Sequence, residues 1–323
     1  RRSSSAEPRK IFDTFTVYWE NDIFASTDRD YTNGGKATWS TPLAVDERSE
    51  HLPRWSRGPI DWLPFVGDAS TRRAVSVSFG QNMYTPADIS RPDLQVDDRP
   101  YAGFTYLAAG FHSSDGRHRT TWEFDVGVIG PASLAKEVQD LVHRTIGVAR
   151  AKGWSHQLGN EPAFEAICES SWRLLHGELG RGFDYDLIPH VGARIGTVQL
   201  YANVGAEARI GWNVPHDFGS CPIRPGCEAH SADAEPGPEG RLGAHLFAVA
   251  DGRAIARDAF LDGNLFRDSH RVAKLPFVAD LMGGLAVGWR RVQVSYSYVL
   301  RTRQFRTQRS EQLFGAVNFS MTY

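Results

Sequence analysis

The chain has 323 residues, with 36 basic and 38 acidic side chains and a formal net charge of −2. No stretch approaches the roughly 20 consecutive apolar residues of a spanning helix, so a helical membrane protein is excluded. Arginine is spread along the chain without a basic stripe or interleaved aromatics, which excludes nucleic acid as a partner.

The first ten residues, R-R-S-S-S-A-E-P-R-K, are polar and lack an apolar signal core. An exported protein beginning this way would already have lost its signal peptide. Residues 1–12 are therefore expected to be a flexible tail, and with no composition break beyond them, residues 13–323 form a single domain.

From residue 13 onward apolar side chains recur at every second position, the period of a strand with one apolar face. Segments near 13–20, 33–42, 73–82, 101–112, 118–128, 163–176, 183–195, 197–211, 240–250, 253–261, 275–289, 291–300 and 312–323 read as strands. Trp122, Phe124 and Val126 alternate with Glu123 and Asp125. Val198, Leu200, Val204 and Ile210 oppose Gln199, Asn203, Glu207 and Arg209. Leu187, Val191 and Ile195 alternate with Asp186, His190 and Arg194.

Alternation alone admits a soluble sandwich as well as a membrane barrel. Length decides, because several runs reach the roughly 9–11 residues that a tilted strand needs to cross a bilayer. The last strand, L-F-G-A-V-N-F-S-M-T-Y, sets Leu313, Val317, Phe319, Met321 and Tyr323 on one face, with Asn318, Ser320 and Thr322 on the other. A chain ending mid-strand needs a neighbour for its edge, and closure supplies one. The expected fold is all-β, a closed antiparallel transmembrane β-barrel of about 12 strands. Thirteen segments are one too many for an even-stranded barrel, and the surplus is sought in 163–195 or 240–261.

Between the fifth and sixth segments Leu134, Val138, Leu141, Val142 and Ile146 mark one face of a helix over 132–148. Three polar stretches then stand out at strand ends: Y-W-E-N-D-I-F at 18–24, running on into S-T-D-R-D-Y-T-N-G-G; D-D-R-P-Y-A-G at 97–103; and G-W-S-H-Q-L-G-N-E-P at 153–162. If residues 13–20 run outward and strands alternate, all three reach one rim. Cys221 and Cys227 bracket a short Pro/Gly loop; a disulfide there would suit an oxidising compartment, and two free thiols fit the spacing equally. Cys168 reads as a small apolar strand residue rather than a nucleophile.

In this order and on this rim, E-N-D, D-Y-T-N-G, D-R-P-Y-A-G and H-Q-x-x-N-E-P resemble the lipid A 3'-O-deacylase family of outer-membrane enzymes. The resemblance implies a calcium-dependent site at the outer rim beside the loop helix, facing the cell exterior, with lipid A as substrate and a monomeric enzyme. Ester hydrolysis needs a base for water and a positive centre or donors for the oxyanion. His156 is then the base, Asp22 and Glu161 carry or orient calcium, and Asn21 and Thr32 position the ester. Arg99 would bind a phosphate or sugar oxygen through its planar fork. Glu165 is the alternative to Glu161.

Each residue also has a plainer reading. His156 would be a strand-end histidine satisfied by a carbonyl, Asn21 and Thr32 turn residues, and Arg99 a partner of Asp97 or Asp98. D-R-D-Y-T-N-G begins like an EF-hand loop but lacks the acid twelve places on and the flanking helices, so that reading is rejected. A serine hydrolase is the rival mechanism, weakened because Ser155 is adjacent to His156 and no G-x-S-x-G elbow exists. A purely structural barrel would share the strands but would have no need for His156, Glu161 and Asp22 on one rim.

Overall fold

The computed structural model describes residues 11–22, 31–45, 50–68, 70–219 and 242–323. Its strands are β1 (Thr14–Asn21), β2 (Tyr31–Ser40), β3 (Arg72–Tyr84), β4 (Ala102–Ser114), β5 (His118–Ile129), β6 (Glu161–Trp172), β7 (Leu175–Glu178), β8 (Phe183–Gly196), β9 (Gln199–Trp212), β10 (Leu242–Asp258), β11 (Phe277–Trp289), β12 (Val292–Arg301) and β13 (Gln312–Thr322). Among the described residues three α-helices lie in the connections, α1 (Arg54–Trp62), α2 (Ala135–Ile146) and α3 (Ala259–Asp262).

Neighbouring strands pair antiparallel, and the last pairs with the first from Thr14↔Thr322 to Asn21↔Gly315. The circle closes where β6 pairs β8 from Glu165↔Gly196 to Ser171↔His190. The short β7 pairs only with β8 and extends a hairpin beyond that seam. Twelve strands therefore form a closed barrel. The surplus expected strand disappears because 240–250 and 253–261 are one element, β10. Asp251-Gly252 looks like a turn in sequence, yet Gly252 keeps register with both Val204 and Ala279. Asp251 points inward and accepts a hydrogen bond from Asn203 at 3.1 Å.

The barrel is inverted relative to a water-soluble domain. Inward positions are charged and buried, and they neutralise one another across the lumen. Lys36 of β2 meets Glu123 of β5 at 3.3 Å, and Arg253 meets Asp280 at 2.8 Å. Arg194 bonds Glu165, and Arg209 bonds Asp186 and Asp217. Outward positions are apolar and exposed, as at Phe79, Leu107, Val126, Val204, Leu246 and Phe319. Charges turned in and hydrocarbon turned out suit a wall surrounded by lipid, where every backbone group must be paired within the sheet. The expected faces of the last strand hold, with Leu313, Phe319 and Met321 exposed and Asn318 and Ser320 buried. Val198 departs from its expected face. It lies in the β8–β9 turn and is fully buried in a cluster with Phe104, Ile129, Leu158 and Phe260.

At the end where the termini meet, the last outward residues of five strands are aromatic: Trp39, Trp172, Trp212, Trp289 and Tyr323. Such a girdle marks a membrane–water boundary. At the opposite end α3 folds into the mouth. Asp258 Oδ1 caps it by accepting from Phe260 N at 2.9 Å, and Phe260 stacks on Tyr84 with ring centroids 4.0 Å apart.

No expectation covered α1, whose internal Gly58 and Pro59 disguise a nine-residue helix. The helix expected over 132–148 is present as α2, over Ala135–Ile146, and its apolar face is the exposed one. Ala135, Gln139 and His143 are buried, while Leu134, Val138, Leu141 and Ile146 are exposed.

Candidate active site

All three polar stretches reach the rim opposite the termini, because β1 ends at Asn21, β4 begins at Ala102 and β6 begins at Glu161. Strand pairing fixes their level, with Asn21 opposite Asn33, Gly103 opposite Met83 and Glu161 opposite Ile129. Tyr31 pairs Tyr84 while Asn33 pairs the adjacent Met83, so Thr32 is the extra residue of a β-bulge. Bulges at barrel rims re-aim a side chain and are common beside active sites.

The first part of the loop from β5 to β6 packs against the outside of the wall, and its end returns to the mouth, where Leu158 is buried with Phe104 and Phe260. Gln81 Nε2, on the outward parity of Phe79, donates to Ser133 O at 2.7 Å. Thr105 Oγ1 donates to the same carbonyl at 2.7 Å. Close approach here requires glycine: a Cβ at Gly103 would lie 2.2 Å from Ser133 Oγ and 2.3 Å from Ala135 Cβ. The second and third stretches then lock together. Leu158 N donates to Tyr101 O at 2.9 Å, and the Tyr101 and Trp154 rings lie 5.1 Å apart. A Cβ at Gly153 would come within 2.5 Å of the Tyr101 ring. Trp154 Nε1 donates to Gln139 Oε1 of α2 at 2.6 Å. Burial pushes the Tyr101 hydroxyl up to about 12, so it stays protonated at neutral pH.

The predicted site residues divide between the two sides of this wall. Asn21 shares the outward parity of Trp19 yet is 3% exposed, and Asp22 directly after it is fully buried. His156 ends the turn Trp154–His156 on the outer loop and is exposed. Its ring makes no hydrogen bond among the described residues, so no carboxylate orients it there. Glu161, by contrast, faces the lumen at 2% exposure. Its Oε2 accepts from Asn264 Nδ2 at 3.1 Å and Phe266 N at 3.1 Å, and Oε1 accepts from Leu265 N at 2.9 Å. Glu165 also points inward, where it pairs with Arg194 and accepts from Val198 N at 2.7 Å.

Arg99 is turned into the lumen and 1% exposed. Its Nη2 donates to Gln304 Oε1 at 2.6 Å, and its guanidinium lies 5.6 Å from the Tyr84 ring and 5.7 Å from the Phe305 ring. The fork expected to meet a substrate oxygen thus holds a rim loop against the β12–β13 connection. Asp97 and Asp98 are not its side-chain partners in these contacts; Asp98 Oδ1 accepts instead from Arg99 N at 2.7 Å.

Sequence reasoning missed the segment D-G-N-L-F-R-D-S-H at 262–270, which ties the rim together. Asn264 pairs with Gly159 in both directions, accepting from its N–H at 2.9 Å and donating to its carbonyl at 3.0 Å. His270 Nε2 lies 2.8 Å from Asp98 O. The run carries turn residues between two strands, which signals a loop but not what the loop holds.

Calcium takes six to eight oxygens. Asp22 and Asn21 offer a carboxylate and an amide oxygen of that chemistry. Glu161 does not fit as a ligand, because backbone and amide N–H groups already point their positive ends at both of its oxygens. Among the described residues no group of three His, Cys, Asp or Glu is placed to hold a metal.

A closed wall with a polar lumen, an apolar exterior and an aromatic girdle, bearing its polar loops on one rim, defines an outer-membrane β-barrel. The family model described as outer membrane protein LpxR matches residues 3–323. The chain belongs to that family, the lipid A 3'-O-deacylases. Its fold is similar to that of LpxR from Salmonella typhimurium, at 21% identity and a TM-score of 0.76, over 96% of this chain and 100% of that one. The β domain of the Bordetella autotransporter BrkA aligns over 97% of this chain and 100% of its own, at 6% identity and a TM-score of 0.46. No curated protein matches the sequence.

Proposed function

We propose that the protein hydrolyses the 3'-linked acyloxyacyl ester of lipid A, working as a monomer with the motif-bearing rim at the cell exterior. The observation that carries this reading is the packing of Ser133 and the start of α2 on the outside of the wall. A site built there is reached sideways from the leaflet, so a lipid ester approaches without leaving the bilayer. The exposed stripe of Leu134, Val138, Leu141 and Ile146 gives acyl chains an apolar surface on the same loop as the exposed His156.

In this reading His156 takes the proton from a water that attacks the ester carbonyl, and later returns it to the leaving sugar oxygen. Asn21 and Thr32 position the ester at the β1–β2 rim. Calcium, held by Asp22 with Asn21, would supply a positive centre for the developing oxyanion. Arg99 and Glu161 act from the lumen side: they fix the 97–103 stretch and the start of β6, and so position the residues that meet substrate.

Mass analysis of lipid A from expressing cells tests the proposal. The native chain should remove the 3' acyloxyacyl mass, EGTA should abolish the loss and calcium should restore it. His156→Ala should leave a heat-modifiable barrel with lipid A intact. Full activity in excess EGTA, or in the alanine variant, would sink the mechanism.

A further inference from the structure

The segment between β2 and β3 carries two apolar faces; the barrel covers one, and meets the second only at Trp55, whose ring lies edge-on to Phe111 at 6.1 Å. Leu52, Ile60, Leu63 and Val66 are buried against Val75 and Phe111, two outward-pointing residues of β3 and β4. Trp122 Nε1 donates to Pro64 O at 3.0 Å and Arg73 bonds Asp61 at 2.6 Å, so α1 lies flat on the outer wall. A quarter turn away, Trp55, Pro59 and Trp62 follow the i, i+4, i+7 spacing of a second stripe. Trp55 is 50% exposed, Trp62 83% and Phe65 77%. Arg54, Gly58 and Asp61 form the remaining polar stripe.

Phe65 adds a second observation, because it sits at φ 66°. Bulky residues rarely adopt the left-handed region, and where they do the backbone is strained. That strain holds an aromatic ring outward. The turn is fixed from behind by Gly67, where a Cβ would lie 2.6 Å from Asp61 O.

We propose that α1 and the following turn form an in-plane anchor, with Trp55, Trp62 and Phe65 inserted into the phospholipid leaflet that borders the terminus end of the barrel. Phospholipid is the occupant because the stripe continues the lipid-facing wall without a break: α1 rests on Phe111, within four residues of the end of β4. That level is the level of the aromatic girdle. Indole rings prefer this boundary, and an amphipathic helix with tryptophan on its apolar side lies in the interface plane. Exposed Arg54 and Arg117 at the same end suit the phosphate headgroups. The anchor would resist tilting of the barrel and set its depth.

Depth measurement tests the proposal on the full chain. Cys168, Cys221 and Cys227 are replaced by serine, and a nitroxide is placed at Trp62→Cys or, for comparison, at Arg54→Cys. In vesicles of phosphatidylethanolamine and phosphatidylglycerol, the label at 62 should be relaxed by oxygen more than by a water-soluble nickel chelate. Its depth should fall roughly 5–10 Å below the headgroup level, and the label at 54 should show the opposite preference. Equal access of nickel to both labels would overturn the anchor. So would dipolar broadening at high lipid dilution, which would assign the stripe to a second copy of the chain. A variant without cysteine changes provides an independent reading: Trp62→Tyr should lose a fluorescence component that brominated phospholipid quenches in the native protein. An unchanged quenched fraction would also count against the anchor.

Discussion

Replacing Glu161 by glutamine separates a metal ligand from a loop clasp. In the structure its carboxylate receives Asn264 Nδ2, Leu265 N and Phe266 N at 2.9–3.1 Å. Hydrogen bonds to a charged acceptor contribute about 1 kcal/mol more than bonds to a neutral one, so three donors put the loss at about 3 kcal/mol. Glutamine also turns one of the two oxygens into a donor that opposes an N–H. The loss is local, since Glu161 opens β6 and the rest of the sheet keeps its pairing. Amide exchange across 263–270 should therefore accelerate roughly 100-fold, because 1.4 kcal/mol is a factor of ten. Hydrogen–deuterium exchange read by mass spectrometry measures this directly, with the calcium dependence of deacylation followed in parallel. Unchanged exchange together with a raised calcium requirement would refute the clasp and make Glu161 a ligand after all.

Asp22→Asn should raise the calcium needed for half-maximal deacylation while leaving exchange over 263–270 unaltered; magnesium should substitute poorly, given its stricter octahedral demand. Gly103→Val should push Ser133 and α2 off the wall, and deacylation should fall sharply while heat modifiability persists. For topology, a cysteine at the exposed Lys136 should label on intact cells with an impermeant reagent, whereas one at Arg117 in the β4–β5 turn should label only after the outer membrane is breached. Ser133, a natural first choice on the same loop, is 2% exposed and donates to Gly130 O, so it would stay silent on either side. Ser26, Cys221 and Cys227 lie outside the described residues.

Period-2 alternation made the barrel legible, because in a wall between lipid and a polar lumen every side chain reports its side. Turn composition misled at 251–252, where an inward aspartate followed by glycine mimics a turn although the register runs through both. At α2 the helical period located the element but not its orientation, since its apolar stripe is exposed while Ala135, Gln139 and His143 are buried. The rim was legible as three polar stretches at strand ends. Which side of the wall each side chain would take was not, since Arg99 and Glu161 are drawn inward by Gln304 and by the 262–270 segment, partners 205 and about 100 residues away in sequence. Asn264 left no signal beyond turn composition, and its role exists only once β6 and β10 end at the same height.

The paired charges that fill the lumen have a consequence for the cell rather than for the enzyme. Among the described residues Lys36 is set against Glu123, Arg253 against Asp280, and Phe260 is stacked on Tyr84 at the mouth, which opposes free passage of ions along the cylinder. Many copies could populate the surface without turning the permeability barrier into a sieve, and a planar bilayer holding them should stay electrically quiet.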